Sequence, residues 1–268
     1  MTDKPVKAKD SASVLIIRDA DEHERYGSLQ ILMVKRHRNI KFAGGAYVFP
    51  GGKLDAGDRS VEESLTRNVD VGESFYGLRY TALREVFEET GLVIGALDGK
   101  PIGEELRRTI DETYRADFLS GTIELAEFLD RSTVTFDMSD CFPFAHWITP
   151  EAYPIRFDTR FFLCVAPEGQ VPSPDGHEIT EVDWMYPMQL VDESDGDLMF
   201  PTMMNLKKLG QAKTVSEALV LLAERKIVMV MPELVVGDKG NIRKIPDDAG
   251  YEDVDQTRTR SAIELDKA

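Results

Sequence analysis

Cysteine is almost missing from this 268-residue chain. The two present, Cys141 and Cys164, each sit in an apolar, strand-like stretch. That excludes a disulfide framework and predicts two buried free thiols. Also lacking is any unbroken apolar run near the ~20 residues that a membrane-crossing helix needs. The opening residues, MTDKPVKAKDSAS, contain no apolar core of signal-peptide length, so a soluble, cytoplasmic protein is expected. Positive charge is in deficit: 32 Lys and Arg against 48 Asp and Glu leave a formal charge of -16. Such a surface repels a nucleic-acid backbone, and no arginine-rich face with interleaved aromatics occurs. A small anionic ligand is not excluded, because bound cations and a few local basic side chains reverse the field inside one cleft. There is no internal repeat and no low-complexity tract.

What is present is enough apolar material, 42% of residues, for one substantial core. Alternating or β-branched apolar runs predict strands at 13–18, 30–36, 47–49, 141–149, 159–166 and 180–185. Helical spacing predicts helices at 62–69, 79–90, 104–119, 123–131, 203–209 and 215–225. Thr214 and Glu217 announce the last of these at capping-box spacing. Strands and helices interleave without a long linker, so a single mixed α/β domain is expected over 10–235. The polar segment 236–268 reads as a loosely attached tail.

In RYTALREVFEETGL, Glu85, Glu88 and Glu89 fall at i, i+3 and i+4, roughly 5–6 Å apart on one helical face. Leu83, Val86 and Phe87 project from the other, and Gly91 stops the helix. Like charges at this spacing repel unless a cation lies between them. Hard divalent ions, Mg2+ or Mn2+, suit carboxylate oxygens and share coordination with phosphates. Arg84, one turn before Glu88, is placed to orient that carboxylate. An acid-rich helical face is also what a solvated surface looks like on an acidic protein. Context favours a site: FPGGKLDAGD puts glycines, which permit close backbone approach, just upstream of the helix.

These residues resemble the Nudix family, whose box runs glycine, five residues, an acid, seven residues, then R-E-apolar-x-E-E-x-G-apolar. Gly52, Arg84, Glu85, Val86, Glu88, Glu89, Gly91 and Leu92 match it. Asp58 stands where the family usually has glutamate, and 25 residues, 59–83, separate it from Arg84 instead of seven. A surface insertion of that kind costs closure entropy that grows only slowly with length. The resemblance implies a Nudix α/β/α sandwich with a mixed β-sheet and helical insertions, here at 59–83 inside the box (52–92) and at 103–131. It implies metal held by Glu85, Glu88 and Glu89, Arg84 supporting them, and water attacking a diphosphate. The proton acceptor in this family often lies outside the box; Glu178 and Glu181 are candidates for it, or two solvated loop acids.

Just before the box, the branch of the family that hydrolyses coenzyme A carries a motif matched here by Leu32, Arg36, Gly45, Phe49, Pro50, Gly51 and Gly52. Lys41 replaces its second arginine, His37 its small residue and Val34 its threonine. Lys35, Arg36, Arg38 and Lys41 then form either a grip for a 3′-phosphate or an exposed basic strand edge. The long box insertion and HWITPEAYPIRFDTRFFLC resemble the subgroup typified by the mammalian peroxisomal coenzyme A diphosphatase. On that likeness Arg156 and Arg160 face substrate phosphate, or else pair structurally with Asp158. The closing DKA does not resemble a peroxisomal address.

The reading that follows is a metal-dependent diphosphatase of coenzyme A or acyl-coenzyme A, releasing 3′,5′-ADP and a phosphopantetheine product. Its alternatives are a Nudix hydrolase of an NDP-sugar, ADP-ribose or dinucleotide, and a non-catalytic ligand-sensing module. The expected partner is a small nucleoside diphosphate-linked molecule, with neither nucleic acid nor membrane; a homodimer is left open.

Overall fold

The computed structural model describes residues 5–41, 43–65, 77–136, 141–194, 198–237 and 240–251. In chain order its elements are β1 (Lys9–His23), β2 (Gly27–Arg36), β3 (Tyr47–Val48), β4 (Gly51–Lys53), α1 (Ala56–Leu65) and α2 (Leu78–Thr90). Then come β5 (Gly95–Leu97), β6 (Lys100–Pro101), α3 (Glu104–Ile110), a π-helical turn (Asp111–Arg115), α4 (Ala116–Leu119), α5 (Leu125–Ser132) and β7 (Val134–Phe136). The rest is β8 (Cys141–Ile148), β9 (Phe157–Val165), β10 (Ile179–Met185), α6 (Pro187–Glu193), α7 (Phe200–Leu209), α8 (Val215–Glu224), β11 (Met229–Val230), β12 (Glu233–Gly237) and β13 (Gly240–Lys244).

The main sheet runs β10-β2-β1-β9-β8-β11, with β3 on β2 and β4 on β1. It is mixed: β1 lies parallel to β9 and β11 parallel to β8, while the other neighbours are antiparallel. Side chains alternate across a strand, and here both faces are apolar. Val14 and Ile16 of β1, with Phe162 and Cys164 of β9, pack under Leu83, Val86 and Phe87 of α2. Leu15 and Ile17, with Phe161 and Leu163, pack under Met203, Met204 and Leu206 of α7. Helices on both faces of a mixed sheet make the α/β/α sandwich. Phe87 is fully buried, worth roughly 1.5–3 kcal/mol. It stacks on Phe128 of α5 at 5.2 Å and meets Phe118 of α4 edge-on at 5.9 Å, which fastens the helical insertion to the back of α2. Cys141 and Cys164 are opposite each other across β8 and β9, buried and free.

Several expectations are corrected. The helix anticipated at 104–119 is broken by the π-helical turn, where Asp111 serves both Arg107 and Arg115. The helix placed at 62–69 begins earlier, at Ala56, and residues 66–69 lie outside the described residues. Strands β5, β6 and β7 and helix α6 are too short to impose a period on the sequence. The supposed tail is anchored as far as 251: Ile245, Ala249 and Tyr251 are buried in the core beneath α7. The Tyr251 hydroxyl accepts from Trp147 Nε1 at 2.8 Å and donates to Asn205 Oδ1 at 2.6 Å. A few buried side chains spaced among polar ones are enough to dock a segment whose average composition looks solvated. Among the described residues no helix is long and apolar enough to cross a membrane.

Candidate active site

Helix α2 is bounded by two left-handed glycines, Gly77 (φ 78°) and Gly91 (φ 67°); the Gly91 N–H closes it on Phe87 O at 2.9 Å. With its apolar side sunk against β1 and β9, Glu85, Glu88 and Glu89 are left toward β4 and the cleft beyond. The Gly51 N–H donates to Glu89 Oε2 at 2.9 Å. Gly51 has φ 157°, and a side chain there would collide with the Ala12 carbonyl on β1. At Gly52 a methyl group would collide with the Glu85 carboxylate. The double glycine of β4 is therefore the floor on which two of the acids rest.

Arg84 lies between the carboxylates. Its Nε is 2.9 Å from Asp58 Oδ1 and Nη1 is 2.9 Å from Glu85 Oε1 and 3.0 Å from Glu88 Oε1. Its Nη2 also donates to Lys53 O at 2.9 Å. Asp58 is completely buried in the first turns of α1 and accepts from Thr81 Oγ1 (2.7 Å) and the Asp55 N–H (3.0 Å) as well as from Arg84.

Burial raises all three glutamates. Glu85 is pushed up to about 7 by burial, with Arg84 opposing and Glu88 adding to the shift. Glu88 is raised by burial, partly offset by Arg84. Glu89, 5% exposed, is raised well above the carboxylate range by burial and by Glu85, against the Gly51 N–H and Arg36. Burial alone would lower the Arg84 guanidinium, but Glu85, Asp58 and Glu88 outweigh it and drive it upward. Such acids ionise together only if more positive charge joins them. Among the described residues no three acidic, histidine or cysteine side chains yet converge as a ready metal cage. The cation between Glu85 and Glu88 is the guanidinium itself. The donor set, buried carboxylate oxygens without sulfur or imidazole, fits a hard divalent ion.

A cavity of 1050 Å3 opens in front of these acids. It is lined by Arg84, Glu85, Glu88, Glu89, Gly51, Gly52, Arg36, Lys41, Asp175, His177 and Glu178, and also by an aromatic and apolar wall of Trp147, Tyr153, Ile155, Phe157, Phe161, Met199 and Phe200. Of the residues anticipated to touch substrate, Arg36, Lys41, Phe49, Gly51 and Gly52 line it, and Gly45, Arg156 and Arg160 do not. Gly45 shapes the preceding turn at φ 82°. Arg156 is buried, with its guanidinium on the carbonyls of Thr149 (2.9 Å) and Val6 (2.6 Å). Arg160 is paired with Asp158, which also holds His146 Nε2 at 2.7 Å; Arg156 makes no such pair among the described residues and is engaged by backbone carbonyls instead. The two base candidates separate likewise. Glu178 lines the cavity, 3.6 Å from Arg36. Glu181 instead binds Lys35 Nζ at 2.9 Å and the Tyr47 hydroxyl at 3.0 Å, away from the cavity lining. Alternation explains it: Lys35 and Arg36 are adjacent on β2 and point opposite ways. Lys9, Lys53 and the aromatic wall were not singled out from the sequence, because each comes from a separate element.

No family model matches the chain. Among curated proteins it is 30% identical to a putative Nudix hydrolase 7 of Caenorhabditis elegans over 69% of this chain, and spans 57% of that protein's length. It is 21% identical to the acyl-coenzyme A diphosphatase NUDT19 of Xenopus laevis, over 87% of this chain and 74% of that one. A Nudix hydrolase of Alicyclobacillus acidocaldarius superposes with a TM-score of 0.66 at 26% identity, over 80% of this chain and 96% of the other. The likeness extends well beyond the box, and with the acid helix intact on this fold the chain is a homologue of Nudix hydrolases in sequence and in structure.

Proposed function

We propose that this protein is a diphosphatase that hydrolyses the pyrophosphate of coenzyme A or an acyl-coenzyme A, giving 3′,5′-ADP and (acyl-)phosphopantetheine. The observation that carries the reading is the mixed character of the cavity, lined both by acids and basic side chains and by aromatic and apolar ones. Coenzyme A esters share that character: a phosphorylated nucleotide joined through a diphosphate to a long, increasingly apolar arm. The relative named an acyl-coenzyme A diphosphatase supports the same choice.

Glu85, Glu88 and Glu89 would hold the divalent ion, Mg2+ or Mn2+. When bound, it supplies charge neutralisation at the phosphoryl oxygens and lowers the pKa of water. Arg84 keeps Glu85 and Glu88 in place from behind. Arg36 and Lys41 hold substrate phosphate, Arg36 with a fork that suits it and Lys41 as a point charge. Glu178, which lines the same cavity as the acids, takes the proton of the attacking water. One P–O bond of the anhydride breaks, one forms to the water oxygen, and each product leaves with one of the two anhydride phosphates.

The test is purified protein with Mg2+ or Mn2+ and a panel of diphosphates, with products identified by mass. Release of 3′,5′-ADP from coenzyme A is expected. Arg36→Ala and Lys41→Ala should each lower kcat/KM on coenzyme A about 10-fold or more, the scale of one charged hydrogen bond, and barely touch dephospho-coenzyme A. Equal losses on both would reject recognition of the 3′-phosphate, and turnover of ADP-ribose or an NDP-sugar alone would replace the substrate.

A further inference from the structure

Residues 166–178, between β9 and β10, have no regular secondary structure, yet they carry Asp175, His177 and Glu178 into the cavity. They are held at a series of points. The Gln170 side chain accepts from the Val93 N–H (2.9 Å) and donates to Val93 O (3.0 Å) and Ile102 O (2.7 Å). The Val171 N–H donates to Glu104 Oε2 at 2.9 Å, and the Ser173 N–H donates to Thr90 O, at the end of α2, at 2.8 Å. The Asp175 carboxylate then accepts from the N–H groups of His177, Glu178 and Ile179, and Glu178 O accepts from the His37 N–H at 2.7 Å.

One side chain joins this loop to the acid helix directly. Arg115, 7% exposed, donates through Nη1 to Ser173 Oγ (3.1 Å), through Nη2 to Ser173 O (2.8 Å) and through Nε to Glu88 O (3.0 Å). It also pairs with Asp111, at 3.4 Å. It is the last residue of the π-helical turn, a rare local geometry. The Glu178 side chain is 66% exposed, so its own packing does not fix it; its position is inherited from the backbone that carries it.

We infer that Arg115 is a positioning residue: by tying Ser173 to the carbonyl of Glu88 it sets where Glu178 stands over the acids of α2. The inference rests on the proposed role of Glu178 in one respect, its effect on turnover. Its structural half is independent of substrate. Lysine cannot reproduce it, since one ammonium cannot span three acceptors as a planar fork does.

Two measurements test it. Hydrogen exchange on the full chain should show the amides of Ser173, His177, Glu178 and Ile179 exchanging about 10-fold faster or more in Arg115→Ala, with the sheet amides of β1 and β9 unchanged. Arg115→Lys, which retains charge and most of the bulk, should shift them in the same direction by less. On a diphosphate the enzyme turns over, Arg115→Ala should lower kcat by about 10- to 100-fold with KM changed by less than about 3-fold, the scale of a catalytic group misplaced by an ångström. In a Glu178→Gln background the same substitution should cost less than about 2-fold further. Unchanged exchange overturns the clamp whatever the substrate. Faster exchange with equal losses of kcat in both backgrounds overturns the link to Glu178. Full activity in Glu178→Gln alone refutes the base assignment and leaves the exchange result to judge Arg115.

Discussion

Asp58 and Arg84, 26 positions apart, are in direct contact: Arg84 Nε lies 2.9 Å and Nη2 3.1 Å from the two oxygens of the Asp58 carboxylate. They are joined in space across the residues that separate them in the chain, so the acid and the arginine of the box are brought back together. The family's usual glutamate and short spacer are replaced by a shorter acid, fully buried in α1, that anchors the same arginine. Asp58→Ala should therefore act through Arg84. It leaves a buried cation short of one partner, and a loss of about 2–4 kcal/mol in urea unfolding is expected, with reduced kcat. Unchanged stability would mean that the pair is incidental.

Gly52→Ala should do the reverse, costing activity far more than stability. The added methyl collides with the end of the Glu85 side chain, which turns away at little cost to the core. A drop of more than about 10-fold in Mn2+ affinity by titration, at nearly constant Tm, is the expected result.

Protonation of the acids makes metal binding pH-dependent. Glu85 in the folded chain titrates at about 7 against 4.5 for its ordinary value, so between those values the folded state binds more protons than the unfolded one. Stability without metal then falls as pH rises through that window. Added Mn2+ displaces the protons, so its rise in Tm should be larger at pH 8 than at pH 5.5. An equal rise at both values would contradict the shared, buried carboxylates.

Glu88→Gln and Glu89→Gln should each lower kcat by at least about 100-fold on any diphosphate turned over if, as proposed, each carboxylate helps to hold the metal. If both variants kept wild-type activity and Mn2+ affinity, the acid helix would be solvated surface and the proposed chemistry would fail.

Arg156→Ala separates structure from recognition. Its guanidinium serves the carbonyls of Thr149 and Val6 inside the protein, so Tm should drop by several degrees while KM for substrate stays within about 2-fold. A large rise in KM would restore the phosphate-binding role expected from the sequence.

Much of this fold was legible in one dimension. The β1, β2, β8, β9 and β10 strands and helices α2, α5, α7 and α8 carry apolar residues at the period of their own element, and local periodicity is what a sequence displays. The Glu85, Glu88 and Glu89 face is a product of helical spacing alone, and the glycines before and after it are demanded by backbone geometry. Strands of two or three residues, the docking of Tyr251 and the π-helical turn leave no such period. Arg156 and Arg160 read either as phosphate ligands or as structural partners of Asp158; sequence cannot choose between these, nor say that Arg156 turns its guanidinium to carbonyls while Arg160 takes Asp158.

By itself, then, the sequence determined which residues share a helix face and where the longer strands run, because those follow from torsion angles repeated over neighbours. Only the tertiary structure decided that Asp58 meets Arg84, that Arg36 and Glu178 face the acids while Lys35 and Glu181 face away, and that Arg115 reaches Glu88 and Ser173. Those relationships depend on strand register and on how far an insertion folds back, quantities that no local pattern encodes.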